Sequence, residues 1–470
     1  MNIDNIIALP ENEKENNMYI SSGLFLFFFL ILFNIRGLGQ SNNYDPDHRY
    51  SVRELQVDFH FLQTKLEKIH PDLYMYTPKK ELDLFFDSLY NTISSPLTEQ
   101  EFYNIITLLN SKIKDGHTMF LPSEKARNYF NQNTGFFPFY IIILNRKLYV
   151  NMNCSPDTLI KEGAEIESIN GISTQDVLEQ LLKRQIRDGE NQTYPTWILT
   201  NYFKDYYSFS FGHPRIYSIA YRNANAGLQT ITINALSRDS IQVYRRAKYS
   251  GRMPATGEKQ GITLDINGQA GTAILAIKSF DKSLLKSEYK QEFKSTLQAM
   301  FSRIRDNRIQ HLILDIRNNQ GGDFETGRFL LSWLIREPTE YLKNSAEYRM
   351  LAAFKNNYTG NLYVLINGGT FSNSGIVSSY LELAGRAVFI GEEAAGNKIV
   401  ISGDPGDGIL PNTKITVQLS SKKYIIRDAV NEGHGVIPAY YITPSVEDII
   451  NGKDPAKEFA LDLISKDKKK

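Results

Sequence analysis

Apolar and polar positions follow three regimes along the chain. Residues 52–69 carry apolar side chains at helical spacing (Leu55, Val57, Phe59, Leu62, Leu66 and Ile69), and Pro71 ends the run. The same spacing predicts helices over 79–93 and 99–113, the second opened by the capping sequence Thr98-Glu99-Gln100-Glu101. This region closes on Lys114-Asp115-Gly116-His117-Thr118, where Gly116 reads as a helix stop and His117 stands on the exit loop. From Gly135 the period shortens to that of strands: 136–144, 147–151 and 163–171, then a helix over 174–184 and strands over 216–221 and 229–235. Residues 186–213 are polar and aromatic without a clear period, and 238–261 read as a basic linker or surface loop.

The last regime alternates. Strands at 271–277, 311–316, 362–366 and 387–390 are separated by helices at 284–306, at 327–335 and from Asn373 onward. Late strands (415–419, 424–426) and closing helices (446–450, 456–464) follow, and no internal repeat is visible. Continuous apolar strands between helices imply an α/β layer architecture with a mostly parallel sheet. The expected organisation is multidomain: a helical region over 50–130, a small β module over 135–237 and an α/β core over 262–465.

Composition changes this picture little. The balance of 53 basic and 52 acidic residues leaves no electrostatic footprint for nucleic acid. Cys154 is the only cysteine, so neither an intrachain disulfide nor a cysteine metal site is available. The apolar run 24–33 (LFLFFFLILF) is short for a membrane span and suits the core of a secretory signal segment, with Gly37 and Gly39 at cleavage-site spacing. An uncleaved N-terminal anchor over 1–39 is the other reading. Either predicts an exported body, periplasmic or extracellular, with membrane association through that segment.

The chemistry concentrates where strands hand over to loops. Ser372 and Ser374 lie in LINGGTFSNSG, at a strand–turn–helix junction where free N–H groups can stabilise an oxyanion. Serine at a helix start is more often a plain cap, so the junction alone decides nothing. LDIRNNQGGD places Gly321, Gly322 and Asp323 at the C-terminal edge of a buried strand, where α/β sheets bind ligands. His117 is exposed by the glycine before it, whereas His48 and His70 read as incidental. Glu432 lies in NEGHGVIP, a glycine-rich loop whose carboxylate could orient an imidazole. No histidine spacing points to a metal, and no cofactor is expected.

Taken together, LILDIRNNQGGD, LINGGTFSNSG, FIGEEAAGN and NEGHGVIP, followed by Asp454 and a terminal helix, resemble the C-terminal processing (tail-specific) serine peptidase family. KDGHT at the end of a helical region, with GAEIESINGIS resembling a PDZ-like module, is similar to its tricorn-like Ser-His-Glu branch. An unrelated small β domain is the other reading of that module.

The resemblance implies a crotonase-like α/β core with Ser372 as nucleophile, His117 as base and Glu432 as orienter. It implies Gly321, Gly322 and Asn373 as the oxyanion hole and Ser374, Asp323 and Lys398 as supporting residues. The family's serine–lysine branch carries a lysine where this chain has Asn397, with Lys398 one place later, which disfavours that dyad. Pro438-Ala439 also replaces the family's common Pro-Asp. The implied substrates are extended or unfolded polypeptides. A catalytically inactive peptide- or lipid-binding protein on the same fold is the alternative.

Overall fold

The computed structural model describes residues 44–252, 260–269, 271–345 and 350–467. The predicted signal or anchor segment, 1–39, lies outside the described residues. Among these, no helix is long and apolar enough to cross a membrane.

The C-terminal half is built on one sheet. In chain order its strands are β1 (Ile262–Asn267), β2 (Thr272–Ile277), β3 (His311–Asp315), β4 (Asn361–Ile366), β5 (Ala387–Gly391) and β6 (Tyr440–Tyr441). They also lie in that order in space, with only the β1–β2 pair antiparallel. Alternation sets the two faces. Leu312, Leu314, Leu362, Val364 and Ile366 point into one core, shared with helices Phe293–Asp306, Phe324–Leu334 and Asn373–Leu383. Ile313, Tyr363 and Leu365 point the other way, onto Ala456, Ala460 and Ile464 of the closing helix Pro455–Asp467. Burial on both faces is what makes these strands continuous apolar runs.

Residues 135–237 contain an antiparallel sheet in the spatial order Phe139–Leu144, Lys147–Asn153, Glu165–Ile169, Ile216–Arg222, Gln229–Asn234, with Ile172–Ser173 paired to the third strand. The N-terminal helices Val52–Ile69, Lys79–Thr92 and Glu99–Ile106 start where the sequence places them, and the Thr98–Glu101 capping box forms.

Several elements differ from the sequence reading. The stretch read as aperiodic holds a 19-residue helix, Thr193–Phe211. It buries Tyr194, Ile198, Phe203, Tyr206 and Tyr207 on several sides, so no single apolar stripe marks it, and it kinks at Tyr202. The expected linker carries a helix, Arg238–Tyr249, capped by Ser237 and packed through Ile241 and Tyr249 onto Phe136, Met152 and Cys154. The helix predicted over 284–306 is two, Lys282–Tyr289 and Phe293–Asp306, because Lys290 takes a left-handed conformation between them. The run 99–113 is broken by a 3-10 turn at Thr107–Leu109.

The three regions interlock at the point that matters. Strand Met119–Leu121, just after His117, pairs with Thr416–Leu419 from the C-terminal half. Phe371 and Ala395, either side of the Ser372 helix, pack into the core of the antiparallel module. His117 and Ser372 are thus fixed to each other through tertiary packing across 255 residues of chain.

Candidate active site

Strand β4 ends at Ile366, and the turn after it delivers Ser372 to the first position before helix Asn373–Leu383. Ser372 adopts φ 54° and ψ −125°, a strained conformation for a residue with a Cβ, and its side chain makes no capping hydrogen bond. The cap-only reading therefore does not describe this serine. Its neighbours Phe371 and Asn373 to Tyr380 are all buried, while Ser372 keeps partial exposure. A hydroxyl lifted by a sharp strand–helix turn is the geometry of a nucleophile elbow.

His117 Nε2 lies 3.1 Å from Ser372 Oγ. The ring is 3% exposed and stacks on Phe371 (centroids 4.5 Å apart, 29° between planes), which stacks in turn on Tyr194. Gly116 serves this approach through its size: a Cβ there would sit 2.7 Å from the Phe371 ring and 2.9 Å from Asp188 Oδ1. The helix before it ends instead at Lys114, which takes the left-handed cap. Burial pushes His117 down to about 4, opposed by the charges of Asp115 and Asp404. The imidazole is therefore neutral at pH 7, the form a general base needs.

Gly321 and Gly322 both have positive φ, 91° and 133°. A Cβ on Gly321 would meet Asn373 N at 2.8 Å and Ser372 Cβ at 2.8 Å, so this loop lies directly against the serine turn. The Gly321 N–H, however, is occupied by Asn319 Oδ1 at 2.9 Å. Gly322 lies between two bonds to Phe280, Phe280 N–H to Gly321 O and Asp323 N–H to Phe280 O, so its own N–H faces away from that strand. Gly322 and Asn373 are the donors left for an oxyanion.

The supporting residues divide. Ser374 is fully buried, and its hydroxyl makes no hydrogen bond among the described residues. Asp323 holds the loop in place: its carboxylate accepts the Lys282 N–H at 2.8 Å, and its carbonyl accepts from Asn373 Nδ2. Lys398 Nζ is 3.2 Å from Glu382 Oε1, and Arg427 pairs with the other oxygen of the same carboxylate. Lys398 is thus committed to a side network away from Ser372. Asn397, at the family's lysine position, binds Tyr76 and Asn431.

Glu432, expected as the orienter of His117, lies on the loop that follows Asn431. Glu432 is exposed, and the described contacts contain no bond from it to His117. Its loop packs instead against the turn at Gly189. Glu190 N–H donates to Gly433 O at 2.8 Å, and a Cβ on Gly189 would lie 2.5 Å from Gly433 Cα. That docking leaves the Glu432 side chain in solvent.

Sequence reasoning missed three residues here. His70, read as incidental, has a side chain 3% exposed and binds Asp115 Oδ2 through Nε2 at 2.5 Å. Burial pushes Asp115 up, but the hydrogen bond and charge of His70 outweigh it and hold this carboxyl far below the usual range. Asp188 is buried and carried no local motif. The acidic residue beside glycine in Lys114-Asp115-Gly116 was the only local signal for any of them. Asp115, His117 and Asp188 present atoms all within 4.8 Å of one another, the one such group among the described residues with cation-ligating reach. Its carboxylate oxygens already accept protein N–H and O–H donors, and His117 Nε2 already faces Ser372.

A serine on a strained elbow with a neutral buried histidine within hydrogen-bond distance is an arrangement that can support nucleophilic catalysis. Residues 271–442 match the model of peptidase family S41. The fold is similar to that of mature CPAF, with 15% identity over 88% of this chain and 96% of that one and a TM-score of 0.63. It is likewise similar to mature CPAF complexed with lactacystin, with 15% identity over 88% of this chain and 98% of that one and a TM-score of 0.64. At that identity the likeness is one of fold. No curated protein matches the sequence.

Proposed function

We propose that the protein is a serine endopeptidase acting through an acyl-enzyme on extended segments of exported polypeptides. The observation that carries this reading is the 3.1 Å approach of His117 Nε2 to Ser372 Oγ at the strained turn. Ser372 Oγ attacks the peptide carbonyl while His117 takes its proton and returns it to the leaving amine. The N–H groups of Gly322 and Asn373 receive the oxyanion, and water hydrolyses the ester on Ser372. Export rests on the apolar run at 24–33.

The test is a serine-directed fluorophosphonate together with an unstructured fluorogenic polypeptide. Wild type is expected to label and turn over, and Ser372→Ala and His117→Gln to do neither. Undiminished turnover by Ser372→Ala overturns the assignment.

A further inference from the structure

The peptidase reading leaves open which acid serves His117. Resting on that reading, we infer that Asp188, rather than Glu432, is the positioning residue that holds His117 in the tautomer facing Ser372.

Lone pairs separate the two buried carboxylates near the ring. A carboxylate offers about four acceptor sites. Asp115 fills four: Oδ1 accepts from the His117 backbone N–H (2.7 Å) and Ser402 Oγ (2.6 Å), and Oδ2 bonds His70 Nε2 (2.5 Å) and Thr118 Oγ1 (3.0 Å). Asp188 accepts two described bonds, from Gly116 N–H (2.7 Å) and Asn397 N–H (3.2 Å). It retains acceptor capacity in a site that is 3% exposed. Nε2 of His117 faces Ser372, and the carboxylates of Asp115 and Asp188 present oxygens within 4.8 Å of a ring nitrogen.

The two Asp188 bonds also explain its placement. One ties it to the residue before His117, the other to the loop after β5, beside the helix that begins at Ser372. A shift of Asp188 would therefore move base and nucleophile relative to each other. The titratable groups facing it are Asp115, His117, Tyr76 and Tyr194. It also borders a small cavity shared with His70 and Lys423, whose Nζ pairs with Asp72. Burial, then the charge of Asp115, pushes Asp188 up to about 7, so it ionises in the physiological range. An imidazolium formed as Ser372 gives up its proton has this carboxylate as its neighbour.

The test uses the full-length protein with the polypeptide substrate, and ¹⁵N-imidazole NMR assigned through His117→Gln. Asp188→Asn is expected to lower kcat by about 10²- to 10⁴-fold with KM within about threefold, as loss of an orienting carboxylate does. Glu432→Gln is expected to keep kcat within about threefold of wild type. In wild-type protein at pH 8, neutral His117 is expected to carry its proton on Nδ1, a reading that needs no variant to fold. An Nε2–H tautomer, a Glu432→Gln collapse of about 10²-fold or more, or near-wild-type kcat in Asp188→Asn overturns the inference. Wild-type protein that neither cleaves nor labels would instead overturn the peptidase reading, and the NMR result would still decide the histidine's tautomer.

Discussion

Replacing Ser372 by glycine and, separately, by alanine isolates the strain at the nucleophile turn. Both variants lose the hydroxyl and its contact with His117, so they differ only in the Cβ and in backbone freedom. At φ 54° and ψ −125° a residue with a Cβ carries on the order of 1–3 kcal/mol of strain. Glycine removes that cost but loses roughly 0.5–1 kcal/mol through its freer unfolded chain. The net expectation is that Ser372→Gly exceeds Ser372→Ala in stability by about 0.5–2 kcal/mol, with a midpoint of thermal unfolding higher by roughly 1 °C per kcal/mol in a chain of this length. Differential scanning calorimetry of the two variants at one scan rate and buffer measures this. A glycine variant that melts at or below the alanine variant would show that the turn is unstrained and refute the elbow argument.

Other consequences arise from the same geometry. Gly321→Ala is expected to cut kcat/KM by at least about 10²-fold, because its Cβ would meet Asn373 N and Ser372 Cβ at 2.8 Å and disturb an oxyanion donor. Steady-state kinetics checks this, and retention of more than a third of wild-type activity counts against the donor assignment. Lys398→Met is expected to stay within about threefold of wild type, since its ammonium serves Glu382. The pH profile should show two descents on acidification. Protonation of Asp188 near pH 7 removes the anion that supports the imidazolium, and protonation of His117 near pH 4 removes the base. As coupled groups they titrate as a pair, and a single descent at about pH 6.5 or above contradicts this environment. C-terminal amidation of a substrate should change cleavage little. The resemblance to a PDZ-like module sets Gly135-Phe136-Phe137-Pro138 at the position of its carboxylate-binding loop, where Pro138 has no N–H to donate and Phe137 is fully buried against Phe203 and Tyr207.

The chain by itself determined the elements that depend on local pattern. Strands β3 to β5 were legible because burial on both faces forces continuous apolar runs. The turn at Ser372 and the glycine pair at 321–322 were legible because sharp backbone needs particular residues. His117 was legible because Gly116 marks its loop. Helix Thr193–Phe211 was not, since a helix buried on several sides has no polar face to give it a period. Nor was the acid behind the histidine. Glu432 has the more suggestive local sequence, yet Gly433 packs on Gly189 and leaves Glu432 in solvent. Asp188, with no motif around it, is carried to the ring by bonds to Gly116 and Asn397. Local sequence dictates backbone shape, but which carboxylate faces an imidazole depends on how loops distant in the chain pack together. Only the tertiary structure decides that.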